Sequence, residues 1–501
     1  MYTRSGCSIP SFRVRHVKCD ETFPRCHRCT STGRVCDGYI YSELSSPAAT
    51  ASSGCVIVVP NTMALALRSA GPSDGIQECR SFDFFRTETF PGIGGLFETS
   101  TWKLVLQACD KEPTVRQAAI ALGALHEKMS LQSACGDRSN QLETAFPIKQ
   151  YGKALAAIRK YLTVEKTPKV DVILMCALIC ISIEVMQNNY LNASVHLENS
   201  LQFLQARPSH NNLSNTDIDS DMSRTFRYLD LHASKFQGMR PPVVVPENEF
   251  HMPSRFSSIT QAKDALASIA AQLYTFVRSV AEEYKYRKLQ AVPFSEVSNL
   301  GLIRDRFNAW KDRFDKFLHR STSKFSRHEQ SFIDVLIINH RSDYIEAATC
   351  IQAEALAFDE FDDEFDEIVT LAANVIRSRR QSNVLEFRLD IGIICPLYCT
   401  AVRCREPWIR QRAMSLLRSI RFQEGVWNAA AQANIAQISI DRELTFDGHS
   451  IPSQRPLEFA RVHSVGCEIF DPLKRVAEVH LTQKLNGLDE PWHDHVEWCS
   501  W

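Results

Sequence analysis

From about residue 80 onward, apolar positions recur at helical spacing. Trp102, Val105, Leu106 and Cys109 form one such stripe, and Val115, Ala118, Ala119, Leu122 and Leu125 form another after Pro113, a residue suited to a helix's first turn. The same period predicts helices at about 148–163, 170–187, 190–206, 223–236, 260–288, 299–318, 327–357, 364–380 and 407–422. Val172–Ile181 is apolar on every side, which predicts a buried helix, and it falls short of the ~20 residues that span a membrane. Pro91-Gly92-Ile93-Gly94-Gly95 follows Phe82, Phe84, Phe85 and Phe90 and reads as a turn. Ala206–Asp221 reads as a polar loop, and the Pro-bounded Arg240–Pro253 as extended chain. Convincing alternating strands are absent. The expected fold is mostly α, with a large all-helical body of packed helical hairpins over 80–501 and no fixed repeat.

The N-terminal residues depart from this pattern. Residues 1–40 are rich in cysteine and in basic side chains, and residues 41–79 read as a flexible linker. Tyr41–Gly54 is small, polar and Pro-interrupted, without the heptads of a coiled-coil stem. The chain has 501 residues, more than one core usually organises, and its 44% apolar and 23% charged residues describe a soluble globular protein. Net charge is −1, yet seven Lys/Arg against Asp20, Glu21 and Asp37 give residues 1–40 a charge of +4, leaving −5 for the rest. A small basic head on a mildly acidic body suits a nucleic-acid-binding module joined to an interaction module.

Seventeen cysteines raise the question of disulfides. The polar, basic Met1–Lys18 is no secretory leader, and Cys176, Cys180 and Cys350 lie in apolar stretches where free thiols act as small hydrophobes. A reducing compartment is expected, and the sequons at Asn192 and Asn212 then carry no weight. Cys19, Cys26, Cys29 and Cys36 are spaced C-x6-C-x2-C-x6-C among Arg, Lys and His, which points to zinc shaping a nucleic-acid-binding surface. A segment this short buries too little apolar surface to fold alone, so the metal would supply the folding free energy.

The stretch Arg13-Val-Arg-His-Val-Lys-Cys-Asp-Glu-Thr-Phe-Pro-Arg-Cys-His-Arg-Cys29, followed by Arg34-Val-Cys36-Asp-Gly-Tyr39, resembles the fungal zinc binuclear-cluster transcription factors. In that family six cysteines, C-x2-C-x6-C-x6-C-x2-C-x6-C, hold two zinc ions with two thiolates bridging. Cys19, Cys26, Cys29 and Cys36 match the last four positions, whereas Ile9 and Phe12 stand where the first two belong. Cys7, after Arg4-Ser5-Gly6, resembles the first ligand displaced by an insertion. Six thiolates with two shared complete two tetrahedral zinc sites, and five leave one coordination position open. Three readings fit: a misassigned splice junction across 8–12, a half-loaded cluster holding one zinc, or loss of metal binding. By position, the resemblance implies that Arg15 and His16 read bases and that Arg13 and Lys18 meet phosphates, with Pro24 shaping the turn between cluster halves.

Trp102–His126, Tyr151-Gly-Lys-Ala-Leu, Pro396–Leu417 with Cys404-Arg-Glu-Pro-Trp, and Arg421-Phe-Gln-Glu-Gly-Val-Trp427 resemble the helical regulatory domain of the same factors. Other chemistry is thin. Gly92-Ile-Gly-Gly lacks the Lys-Ser/Thr of a phosphate loop, and neither G-x-S-x-G nor H-E-x-x-H occurs. Cys395, Cys399 and Cys404 read as buried thiols, and His493-Asp-His495 with Glu497 and Cys499 as an exposed tail. Phe358-Asp-Glu-Phe361-Asp-Asp-Glu-Phe365-Asp-Glu mimics an acidic activation segment, but its phenylalanines share one helical face and its carboxylates suit a first turn. The expected function is a nuclear, zinc-dependent transcriptional regulator that binds CGG-like double-stranded DNA and coactivators or corepressors, not an enzyme. The alternatives are an interaction factor with a degenerate head and, from the enzyme class, a ligand-binding or catalytic body.

Overall fold

The computed structural model describes the chain from Gly75 to Trp501, except for residues 94–98, 136–140, 206–216, 237–239, 244–251, 282–283, 285–291, 322–324, 379–385, 390–391, 447–454, 472–474 and 486–491. Residues 1–74, with the predicted zinc head and linker, lie outside the described residues.

The described body is mostly helical, and helices adjacent in sequence pack as pairs, as the hairpin expectation has it. α1 (Ile76–Phe84) runs through a π turn (Phe85–Thr89) into the short α2 (Phe90–Ile93). There follow α3 (Thr99–Ala108), α4 (Pro113–Cys135), α5 (Gln141–Val164), α6 (Val170–Met186) and α7 (Tyr190–Gln205). These helices enclose a first core around Trp102, Val115, Leu122 and Ile179. As its composition predicts, α6 is buried on nearly every face. A Cβ at Gly123 of α4 would lie 2.2 Å from the Ser81 carbonyl oxygen, so the missing side chain is what lets α1 approach this closely.

α8 (Asp217–Lys235), α9 (Ile259–Phe276, extended by a π turn over Val277–Ala281), α10 (Phe294–Arg320) and α11 (Arg327–Thr349) come next. Ser258 caps α9 by accepting from the Gln261 amide at 3.1 Å. Ser326 and Glu329 close a capping box on α11, with the Ser326 amide donating to Glu329 Oε2 at 2.8 Å. The second core lies around Trp310, Phe307 and Ile269. α11 serves two cores at once, sending Ile333 and Leu336 into this one and Val335, Ile338 and Ile345 into the third.

The third core is built by a 3-10 turn (Ala355–Phe361), α12 (Asp362–Ser378), α13 (Ile394–Arg403), α14 (Pro407–Ser419) and α15 (Ala429–Phe446). A small sheet joins them, with β1 (Glu386–Arg388) parallel to β2 (Phe422–Glu424) and β2 antiparallel to β3 (Trp427–Asn428). Gly425 turns between β2 and β3 at φ +53°, and its amide donates to the Arg388 carbonyl at 2.6 Å. Phe358 and Phe365 are buried in this core, as the helical reading of the acidic segment requires.

Three expectations are corrected. The body is not wholly helical: β4 (Val462–Asp471), β5 (Val476–Gln483) and β6 (His493–Ser500) form an antiparallel sheet with central β5. On β5, Ala477, Val479, Leu481 and Gln483 point inward while their neighbours are half-buried, a period of two carried by a single short segment. His493-Asp-His495 with Glu497 and Cys499 is therefore no tail; it pairs along β5 from Gln483↔His493 to Ala477↔Cys499, and Cys499 is buried. Pro91-Gly92-Ile93 continues a helical turn because Ile93 is buried in the first core and its carbonyl accepts from Leu389 N at 3.3 Å. Among the described residues no helix is long and apolar enough to cross a membrane.

Candidate functional site

The sequence-predicted metal ligands Cys7, Cys19, Cys26, Cys29 and Cys36 lie outside the described residues, as do Arg13, Arg15, His16 and Lys18. The donor set fits the metal by its chemistry: four thiolates at the fixed spacing suit a tetrahedral zinc site, and Cys7 would add a fifth. The described residues include no group of three or more His, Cys, Asp or Glu placed to hold a metal ion. Burial pushes the thiols of Cys109, Cys180 and Cys404 up to about 12, which keeps them protonated and inert as ligands or nucleophiles. Cys395 and Cys399 sit one turn apart on α13, where their mutual hydrogen bond and burial push the Cys395 thiol well up.

The body's charged motifs form a lattice that ties the C-terminal sheet to the helices. Arg405 and Glu443, 0% and 1% exposed, pair at 2.9 Å, and Arg410 Nη1 reaches the other Glu443 oxygen at 2.8 Å. The pair grips both backbone groups of Val462 at the start of β4. Arg405 Nη2 donates to its carbonyl at 2.8 Å, and its amide donates to Glu443 Oε1 at 2.9 Å. Burial would raise the Glu443 carboxyl, but Arg405 and Arg410 outweigh it and hold the group below its usual range.

The same lattice engages the acidic segment. Arg461 binds Asp359 through two parallel hydrogen bonds of 2.7 and 2.8 Å. Asp362 pairs with Arg455, Asp366 with Arg412 and Glu367 with Arg341. Four of the seven carboxylates thus face arginines of this chain, which supports the structural role over that of an activation segment.

The segment Arg421–Trp427 also acquires specific roles. Glu424 of β2 is 1% exposed, and its Oε2 accepts from the amides of Gly392, Ile393 and Ile394 at 3.2, 2.8 and 2.9 Å, capping α13. A Cβ at Gly392 would meet Glu424 Oε1 at 2.1 Å, so the cap requires glycine there. Trp427 and α13 then wall a cavity of about 150 Å³ between α8, α9, α11, the 3-10 turn and β4. Sequence reading missed this cavity, because its lining comes from segments distant in the chain.

A model of the fungal specific transcription factor domain matches residues 80–436. The chain belongs to that family. A second model, the fungal Zn(2)-Cys(6) binuclear cluster domain, matches residues 13–43. This match implies zinc binding in the head of the fungal factor, and it begins after Cys7 and the altered segment 8–12. The chain is similar to the aspercryptin biosynthesis cluster-specific transcription regulator atnN of Emericella nidulans, at 24% identity over 63% of this chain and 54% of the relative. It is also similar to the transcription regulator lscL of Purpureocillium lilacinum, at 29% identity over 40% of this chain and 50% of the relative. The matched region thus spans about half the length of each relative. No solved structure matches.

Proposed function

We propose that this fungal factor is a nuclear, sequence-specific regulator of transcription by RNA polymerase II that binds CGG-like DNA through its zinc-ordered head. The observation that carries this reading is the spacing of Cys19, Cys26, Cys29 and Cys36 inside the cluster-domain match at 13–43. Zinc, when bound, supplies the folding free energy of the head by ligating its thiolates. Arg15, with a planar fork matched to guanine O6 and N7, is the base-reading residue, and His16 assists it. Arg13 and Lys18 contact phosphates and set the register. The mechanism is binding, not catalysis, and the helical body contacts coactivators or corepressors.

A second reading follows from one feature. Ile9 and Phe12 occupy the positions of the first two family ligands, so a head with an incomplete donor set would leave an interaction factor that no longer reads DNA.

Zinc content and DNA binding decide between these readings. Purified full-length protein is expected to carry bound zinc by plasma mass spectrometry. It should shift a CGG-bearing duplex more strongly than a scrambled one, with affinity falling as salt rises. Zinc-free protein that ignores every CGG duplex would establish the interaction-only reading.

A further inference from the structure

The cavity walled by α13 and Trp427 combines an apolar lining with charged groups, some of which pair with no opposite charge among the described residues. Lys235 lines it, but its ammonium is engaged by Asp343 at 2.7 Å. Arg278 is engaged as well, donating to the carbonyls of Ser234 and Phe236 at 3.1 and 3.2 Å. Arg403 differs: among the described residues its guanidinium makes a single hydrogen bond, from Nη1 to the His463 carbonyl at 3.1 Å, and lies 4.8 Å from the Phe358 ring centre. No carboxylate of the described residues pairs with it. Glu346 on α11, half-buried in the lining of the same cavity, has a carboxylate with neither hydrogen bond nor ion pair among the described residues. A third group is Trp427, 3% exposed, whose buried indole N–H has no acceptor among the described residues.

We propose that this cavity binds a small zwitterion of the α-amino-acid type, its carboxylate on Arg403, its ammonium on Glu346, and its apolar side chain among Phe358, Tyr398 and Trp427. A lone anion would answer Arg403 and leave Glu346 repelling it across a poorly screened space. A lone cation would meet the converse problem with Arg403. A ligand carrying both charges satisfies both groups. Its carboxylate also offers an acceptor of the kind the Trp427 N–H lacks, and a buried donor without one is costly. Size narrows the class further. A cavity of about 150 Å³ holds a benzene-sized body, which suits an aromatic or branched aliphatic side chain. Exposed Gln352 and Glu354 stand on the lining, giving the cavity a polar border toward solvent.

Isothermal titration calorimetry on the full chain tests this with three probes of one shape: L-phenylalanine, hydrocinnamate (no ammonium) and phenethylamine (no carboxylate). L-Phenylalanine is expected to saturate one site, and each truncated probe to bind at least about tenfold more weakly. In Glu346→Gln the preference over hydrocinnamate should collapse, and in Arg403→Gln the preference over phenethylamine. Equal affinity of the three probes for the unmodified protein overturns the proposal. So does absence of saturable binding by both L-phenylalanine and L-leucine. Both outcomes are read on the unmodified chain and do not depend on DNA binding or on a variant's folding.

Discussion

Lys235 Nζ lies 2.7 and 2.8 Å from the two carboxylate oxygens of Asp343, in a pair whose side chains are 5% and 2% exposed. Tyr274 donates to the same carboxylate at 3.2 Å. Lys235 lines both the 150 Å³ cavity and a neighbouring one of about 60 Å³, so the pair stands where α8, α9 and α11 meet. Burial pushes the Asp343 carboxyl up and Lys235 opposes it. The net shift is upward, and the Lys235 ammonium and the Tyr274 hydroxyl offset only part of the burial.

Removing either partner strands the other charge in the interior. Lys235→Met or Asp343→Asn is expected to destabilise the body by about 3–5 kcal/mol, whereas the double change Lys235→Met/Asp343→Leu should cost clearly less. Urea unfolding of the three variants checks this. Equal losses in single and double variants would show that packing, not charge, governs the position.

The Arg405–Glu443 pair fixes the start of β4, so Glu443→Leu should loosen the C-terminal sheet before the helices. The expected loss is again about 3–5 kcal/mol, since Arg405 and Arg410 are left with no buried counter-charge. Hydrogen exchange should quicken first at Val462 and along β4 and β5, with α6 still protected. Uniform acceleration across the body would contradict a local clamp.

His340 sets a pH dependence. Its Nε2 lies 3.0 Å from the Phe307 carbonyl and its ring stacks on Trp310 at 5.1 Å, while burial lowers its pKa from 6.5 to about 4. The unfolded chain therefore takes up this proton at a higher pH than the folded one. The contribution is complete above about pH 6.5 and is lost as pH falls toward 4, a change on the order of 3 kcal/mol. Chemical denaturation at pH 7, 6, 5 and 4 should show that slope, and His340→Gln should make it shallower, with buried His232, lowered to about 3, supplying part of what remains.

The sequence made local structure legible where one residue or one period decides the outcome. Pro113 and Pro407 do open helices, and α6 is buried as its apolar run implies. The burial of Cys395, Cys404, Phe358 and Phe365 followed from their neighbours for the same reason. What stayed hidden depends on distant segments. β5 alternates cleanly, but its outward Glu478, His480 and Thr482 dilute the apolar signal, and α15 is rich in alanine with little polarity contrast. No spacing rule could have brought Glu346, Arg403 and Trp427 to one cavity, because α11, α13 and β3 meet only through the tertiary fold.

The defect before Arg13 has a direct remedy. Deleting two residues within 8–11 and replacing Phe12 by Cys restores the family interval ahead of Cys19. If one missing thiolate limits the head, the repaired protein should carry more zinc per chain and bind a CGG duplex more tightly. Thermal unfolding of the body should not change, because its three cores are built within residues 82–499. Zinc by plasma mass spectrometry and DNA binding by fluorescence anisotropy provide the comparison. A repaired head that carries zinc and binds DNA no better than an original that already does both would mean that Cys7, Cys19, Cys26, Cys29 and Cys36 complete the site, with the open coordination position filled by a ligand from outside the cysteine set.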